Sequence, residues 1–194
     1  MRQAQLIPLR SRLIEQARGR VLEVGIGSGQ NIPFYCRDVV QMIGIDPSRA
    51  LLDKAKKTAT WSRCPVRLLE GSGETLPLAS GSIDHVVMTW TLCSVTDPLR
   101  TLAEIRRVLR PNGALLYIEH GQAPDSEPAL QRWQDGITPI WRRLAGNCHP
   151  NRRIDHLLKV AGFATKTQKC GYLVKGPKTL TYHYQGHATI DECP

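Results

Sequence analysis

Apolar residues recur along this chain at two periods. Short runs of branched and aliphatic residues read as strands: Val21, Leu22 and Val24, then Val39 to Ile45, Val66 to Leu69, Ile83 to Met88 and Ala114 to Ile118. Helical spacing fills the gaps, with Leu51, Leu52 and Ala55 in one stretch. A second has Leu99, Leu102, Ile105, Val108 and Leu109, opened by Pro98 and closed by Pro111-Asn112-Gly113. Strands alternating with helices demand a mostly parallel sheet covered on both faces. Ligands of such sheets bind beyond the carboxyl ends of the strands. The tips Gly25 to Gly29, Asp46, Gly71 to Glu74, Thr89 to Cys93 and Glu119-His120 should therefore meet at one crevice.

The ends of the chain are patterned differently. From Arg2 to Arg18, Leu6, Ile7, Leu9, Leu13 and Ile14 lie at helical spacing among Arg2, Arg10, Arg12 and Arg18, with Pro8 breaking the pattern early. This predicts a basic amphipathic helix that lies on an anionic membrane, covers a pocket or packs on the sheet edge; the last reading is favoured. Gln122 to Asn151, with Trp133, Ile137, Ile140, Trp141 and Leu144, reads as a helical lid whose aromatics line a pocket or plug the lid onto the body. Ile154 to Ala161 continues as a helix ended by Gly162. Phe163 to Lys169 and Thr179 to Tyr184 then form an antiparallel hairpin joined by the loop Cys170 to Lys178.

The stretch from Arg20 to Asn31, RVLEVGIGSGQN, is a strand running into a glycine-rich turn. Gly25, Gly27 and Gly29 let the main chain bend sharply and approach a ligand, and a helix expected after Asn31 would aim its free N–H groups at the same place. This is a nucleotide-type turn. A dinucleotide fingerprint needs glycine at position 30, where the chain has Gln30, and no phosphate-binding G-x-x-x-x-G-K-[ST] is present. Asp46 stands at the tip of the second strand, where a carboxylate accepts from ribose hydroxyls; a turn or N-cap Asp is the plainer reading. Gly73 would let the backbone approach a flat ring, with Ser72 or Glu74 at its polar edge.

Length and composition narrow the picture. The 194 residues suit a single domain over 1–194, and 41% hydrophobic residues is ordinary for a soluble protein. A net charge of +9 favours anionic partners, although a solvated basic surface carries equal weight. The six cysteines are widely spaced, with no zinc-type pairing, so no metal is expected. With no signal peptide or membrane-length apolar run, the expected location is cytoplasmic, with peripheral contact at the inner membrane surface as an addition.

The segment Glu23 to Gly29, followed by Asp46, Gly71 to Leu78, Ser82 to Val87 and Arg107 to Gly113, resembles the successive motifs of class I S-adenosylmethionine-dependent methyltransferases. The resemblance covers essentially the whole chain and implies a Rossmann-like αβα sandwich, with a seven-stranded, mostly parallel sheet whose last strand is antiparallel. It implies that Glu23, Gly25, Gly27 and Gly29 hold the methionine end of S-adenosylmethionine. Asp46 would take the ribose, and Ser72, Gly73 and Glu74 the adenine side, with Thr89 also at the cofactor. Where the family has an acid, this chain has Ser72.

Thr91 to Val95, Val108 to Gly113, Glu119-His120, Trp133-Gln134, Pro139 to Trp141 and Gly146 to Cys148 look more narrowly like the alkyl-thiol methyltransferases of animals. Bacterial phospholipid N-methyltransferases are also similar. The thiol reading makes His120 the base or thiolate stabiliser, with Trp90, Cys93, Trp133 and Trp141 around a small-molecule acceptor. The product would be S-adenosylhomocysteine. N-methylation of a phospholipid or small amine is the alternative, and a non-catalytic cofactor-binding regulator is another. Thr89-Trp90-Thr91 lacks the signature of base methylation, which argues against nucleic acid. No obligate protein partner is implied.

Overall fold

The computed structural model describes residues 4–191; Arg2 and Cys193 lie outside them. The strands are β1 (Gly19–Val24), β2 (Val39–Asp46), β3 (Val66–Glu70), β4 (Ile83–Thr89), β5 (Leu109–His120), β6 (Phe163–Tyr172) and β7 (Tyr182–Ile190). They form one sheet in the order β3-β2-β1-β4-β5-β7-β6. The pairings among β1 to β5 are parallel, and β7 runs antiparallel to both β5 and β6. The Rossmann-like arrangement with an antiparallel last strand is thus present. Strand order reverses direction between β1 and β4, and their carboxyl ends open the crevice.

Alternation along the strands divides the core between the two sheet faces. Leu22, Val24, Val86, Met88, Leu115 and Tyr117 point to one face, where Leu102, Ile105 and Val108 of α3 (Pro98–Val108) and Ile154 and Leu158 of α5 (Ile154–Val160) cover them. Val21, Met42, Val87, Leu116 and Ile118 point to the other. There they meet Leu13 and Ile14 of α1 (Ile7–Ile14) and Leu52 of α2 (Arg49–Ala59).

Several expected boundaries move. No α-helix follows Asn31: Ile32–Phe34 is a three-residue 3-10 turn, so the glycine turn is held by side chains instead of a helix terminus. Pro8 opens α1 instead of breaking it, because at the start of a helix its missing N–H costs nothing; α1 ends at Ile14, short of Arg18. α3 stops at Val108, and Leu109 to Gly113 already belong to β5, where Leu109 pairs with Ile83. β7 extends to Ile190, beyond the expected Tyr184, because Gln185 to Thr189 pair with Ala114 to Ile118. Its small residues Gly186 and Ala188 carry little strand signal of their own.

The predicted lid contains α4 (Pro128–Leu144). Polar contacts anchor it: the buried Gln134 side chain accepts from Ala123 N at 2.8 Å and donates to Thr179 O at 3.1 Å.

Candidate functional site

The glycine turn at the end of β1 is tied to the tip of β2. Gly25 N donates to Ile45 O at 2.8 Å, and Gly27 N donates to Asp46 Oδ2 at 2.9 Å. Asp46 Oδ1 accepts from Ser48 N at 2.9 Å, while Ser48, not Asp46, caps α2. Gly25 and Gly27 both have positive φ (71° and 56°), and open space lies where a Gly27 side chain would project. Gly29 serves a different purpose. A Cβ there would meet Ile32 and the backbone of Ala55, so Gly29 lets the turn pack on α2 and does not line the cleft. The missing Cβ of Gly73 likewise points at Val24 and Thr101, so core packing explains that glycine, although Ser72, Gly73 and Glu74 all line the cleft. The Glu74 carboxylate is already engaged, accepting from Asp97 N at 2.9 Å.

Beneath the turn lies a buried polar network. Glu23 accepts from Asn31 Nδ2 at 2.8 Å and from Tyr35 OH at 2.7 Å. Burial pushes its carboxyl up to about 7, against the pull of Tyr35, Asn31 and Arg10. Asn31 Nδ2 also donates to Thr89 Oγ1 at 3.0 Å. Arg10 reaches in from α1, donating to Asn31 Oδ1 at 2.6 Å, with its guanidinium 4.5 Å above the centre of the Trp90 ring. Burial lowers the pKa of Arg10, and Glu23 opposes that effect. Arg10 and Asn31 were not among the residues expected here. A single arginine on the polar side of an amphipathic helix gave no local sign of being 6% exposed.

Two adjoining cavities, of about 510 and 620 Å3, run along these tips. Arg10, Glu23, Gly25, Gly27 and Thr89 line the first. Asp46 and Ser72 to Glu74 line the second, and Gly25, Leu51, Trp90 and Thr91 are common to both. The result is one elongated cleft with a guanidinium and a carboxyl at one end and a carboxylate at the other. That donor set fits a cofactor carrying an amino-acid group on a nucleoside.

A third cavity, of about 430 Å3 and mostly apolar, meets this cleft at Trp90 and Ser94. Trp90, His120, Trp141, Cys148, Leu180 and His183 are among its walls. Trp90 thus lines all three spaces, held at φ 54°, a conformation that few non-glycine residues adopt. Its backbone N–H donates to Ile118 O at 2.8 Å. The loop that follows is organised by Glu119, a fully buried carboxyl accepting from Thr91 N at 3.0 Å and from Cys93 N at 3.1 Å. Burial pushes Glu119 up to about 7 against those donors.

Of the residues expected around an acceptor, Trp90, Trp141 and His120 line this cavity, and the fully buried Cys93 stands behind Cys148. Trp133 does not join them: it is 67% exposed, because α4 buries Gln134 and Thr138 instead. His120 Nδ1 lies 3.4 Å from Cys148 Sγ, and its Nε2 is buried without a hydrogen-bond partner among the described residues. His183, also not foreseen, donates from Nδ1 to Thr181 O at 2.8 Å; burial pulls its pKa down to about 4, so its ring stays neutral.

Comparison with known proteins agrees with this geometry. Residues 22–117, about half of the chain, match the family model described as a methyltransferase domain. The chain is 37% identical over 140 residues to the thiol S-methyltransferase TMT1B of Homo sapiens, a match covering 68% of this chain and 55% of that protein. It is 32% identical over 126 residues to a phosphatidylethanolamine N-methyltransferase of Cereibacter sphaeroides, covering 61% of this chain and 62% of the relative. The chain spans little more than half the length of its thiol-methyltransferase relatives. Among solved structures, YcgJ of Bacillus subtilis superposes with a TM-score of 0.73 at 14% identity, covering 97% of this chain and 99% of that one.

Proposed function

Because the chain belongs to the S-adenosylmethionine-dependent methyltransferases, we propose that it methylates the sulfur of a small, largely apolar thiol. The observation that carries this reading is the apolar cavity holding His120, which opens at Trp90 onto the cleft lined by Arg10, Glu23 and Asp46. S-adenosylmethionine supplies an electrophilic methyl group when bound. Arg10 and Glu23 would hold its amino-acid end and Asp46 its ribose, with the Ser72 to Glu74 backbone beside the base.

The remaining work falls to the cavity walls. Trp90 and Trp141 exclude water and restrict the acceptor's orientation, which converts a bimolecular encounter into a positioned one. Two nitrogens on these walls are buried without a partner among the described residues, His120 Nε2 and Trp141 Nε1. An indole N–H only donates, so His120 Nε2 is the one that can take the thiol proton. The identity to thiol S-methyltransferases supports the choice of sulfur. Incubation with labelled S-adenosylmethionine and matched panels of thiols, amines and phospholipids tests the proposal. Labelled thioether is expected, and exclusive labelling of an amine would overturn it.

One observation favours a second reading, phospholipid N-methylation at an anionic membrane surface. α4 exposes Trp133, Ile140 and Leu144 beside the exposed Arg132, Arg142 and Arg143, and no helix among the described residues is long and apolar enough to cross a membrane. An apolar stripe flanked by arginines suits an interface lying in the headgroup region. Transfer of label to phosphatidylethanolamine in anionic vesicles would select this reading.

A further inference from the structure

The cavity wall contains a pair of thiols that the proposed reaction has not used. Cys148 lies in the turn after α4, and its Sγ is 3.7 Å from Cys93 Sγ and 3.4 Å from His120 Nδ1. This meeting is enforced by the backbone. Asn147, at φ 62°, donates from Nδ2 to Ser94 O at 2.8 Å, and His149 N donates to Cys93 O at 2.8 Å. Arg152 donates to Leu92 O at 2.6 Å and to Val95 O at 2.8 Å. The turn carrying Cys148 is therefore clamped onto the loop carrying Cys93, and Cys148 faces the acceptor cavity while Cys93 is enclosed behind it.

We propose that Cys148 is a thiolate that accepts from His120 Nδ1–H and from the Cys93 thiol, and so acts as the positioning residue that leaves His120 Nε2 free to take a proton from the acceptor. The arrangement follows the logic of a catalytic triad in which a thiolate takes the place of the carboxylate. A thiolate on Nδ1 fixes the tautomer and stabilises the imidazolium that forms. The acceptor's S–H proton passes to Nε2, the bonding pair stays on the acceptor sulfur, and His120 gains the positive charge. This step rests on the proposed thiol acceptor; the state of Cys148 does not.

The surroundings agree with an anion at Cys148. Hydrogen bonding from Cys93, then from His120, lowers its pKa against the effect of burial, and the indole of Trp141 acts in the same direction. Cys93 moves the opposite way, as the donor of such a pair must. The other titratable groups nearby are Glu119, Arg152, His149, Lys175 and His183. Arg152 is a cation close enough to feel both thiols. Glu119 opposes ionisation, and His183, whose ring centre is 5.9 Å from that of His120, stays neutral. No group of three or more His, Cys, Asp or Glu among the described residues could hold a metal ion.

The test begins without any acceptor. The rate of Cys148 alkylation by iodoacetamide, followed by peptide mass spectrometry against pH, should have its midpoint at least one unit below the ~8.5 of a free thiol. His120→Gln should move that midpoint upward by a unit or more, a tenfold loss of reactivity near neutral pH. A midpoint at or above 8.5 that His120→Gln leaves in place overturns the proposal, whether or not the chain methylates thiols. With a thiol acceptor, Cys148→Ala should lower kcat roughly 10- to 100-fold and displace the acidic limb of the pH–rate profile. An aryl thiol already ionised at the assay pH should lose much less, and Cys148→Asp should recover part of the rate. Equal losses for both thiol classes, with the pH profile unmoved, would reduce Cys148 to packing. Retained calorimetric binding of S-adenosylhomocysteine separates these outcomes from misfolding.

Discussion

Arg10 lies with its guanidinium 4.5 Å above the centre of the Trp90 ring, joining α1 to the loop where the three cavities meet. The same guanidinium donates to Asn31, which in turn donates to Glu23 and Thr89. A helix packed on the sheet thus also delivers a cation to the cleft that Glu23 and Thr89 line. Charge-assisted hydrogen bonds contribute about 1.5–3 kcal/mol, so Arg10→Ala should weaken S-adenosylhomocysteine binding roughly 10- to 100-fold. Arg10→Lys should fall between, because an ammonium cannot reproduce the planar fork. Calorimetric titration measures both, and unchanged affinity would remove Arg10 from the site.

Asp46 serves the fold and the cleft together, since its two oxygens hold Gly27 N and Ser48 N. Asp46→Asn retains one acceptor oxygen, and Asp46→Ala retains none. The expected order of cofactor affinity is wild type, then Asn, then Ala, with Ala at least tenfold weaker. A loss confined to thermal stability, with affinity intact, would make Asp46 purely structural.

Glu119 gives stability a defined pH dependence. Its folded carboxyl titrates near 7, against an ordinary value of 4.5, because burial favours the neutral form. Between those values the native state keeps a proton that the unfolded chain has lost. The associated stability is fully present below about pH 4.5 and is lost as pH rises through 7, by at most about 3 kcal/mol. Glu119→Gln cannot titrate, so urea unfolding at pH 5 and pH 7.5 should show wild type losing stability relative to the variant at the higher pH. Glu23 acts in the same direction, and His183, lowered to about 4, acts oppositely, with stability lost as pH falls from 6.5 through 4. A gap between wild type and variant that does not change with pH would contradict the raised carboxyl.

Trp133 and Trp141 should separate cleanly in mutagenesis. Trp133 is exposed, so Trp133→Ala should change folding stability by no more than about 0.5 kcal/mol and leave thiol turnover intact. Trp141 lines the proposed acceptor cavity, so Trp141→Ala should raise KM for an apolar thiol several-fold. Steady-state kinetics across acceptors of increasing apolar size would read the difference, and equal effects from both variants would displace the proposed acceptor cavity.

Much of the architecture was legible because it is encoded locally. Val21, Leu22 and Val24 alternate as a strand between two faces must, and Gly25 and Gly27 mark a turn that L side chains rarely adopt. Asp46 was legible because the end of a strand has a defined place in a parallel sheet. Gly29 and Gly73 were assigned to the ligand for the same local reason, although their missing side chains serve packing. β7 was foreseen too short because its outer half becomes a strand through pairing with β5 and not through its own composition.

The sequence by itself therefore determined the layered fold, the crevice and a nucleotide-type turn, since strand periodicity and turn chemistry are properties of neighbouring residues; the kind of cofactor came from the resemblance of its successive motifs to a known family. The tertiary structure decided which cation enters that crevice, which tryptophan faces water and which thiol meets His120. Arg10 is 79 residues from Thr89, and Cys148 is 28 from His120. Contacts over such separations arise only when packed elements bring distant loops together, and no local pattern specifies them.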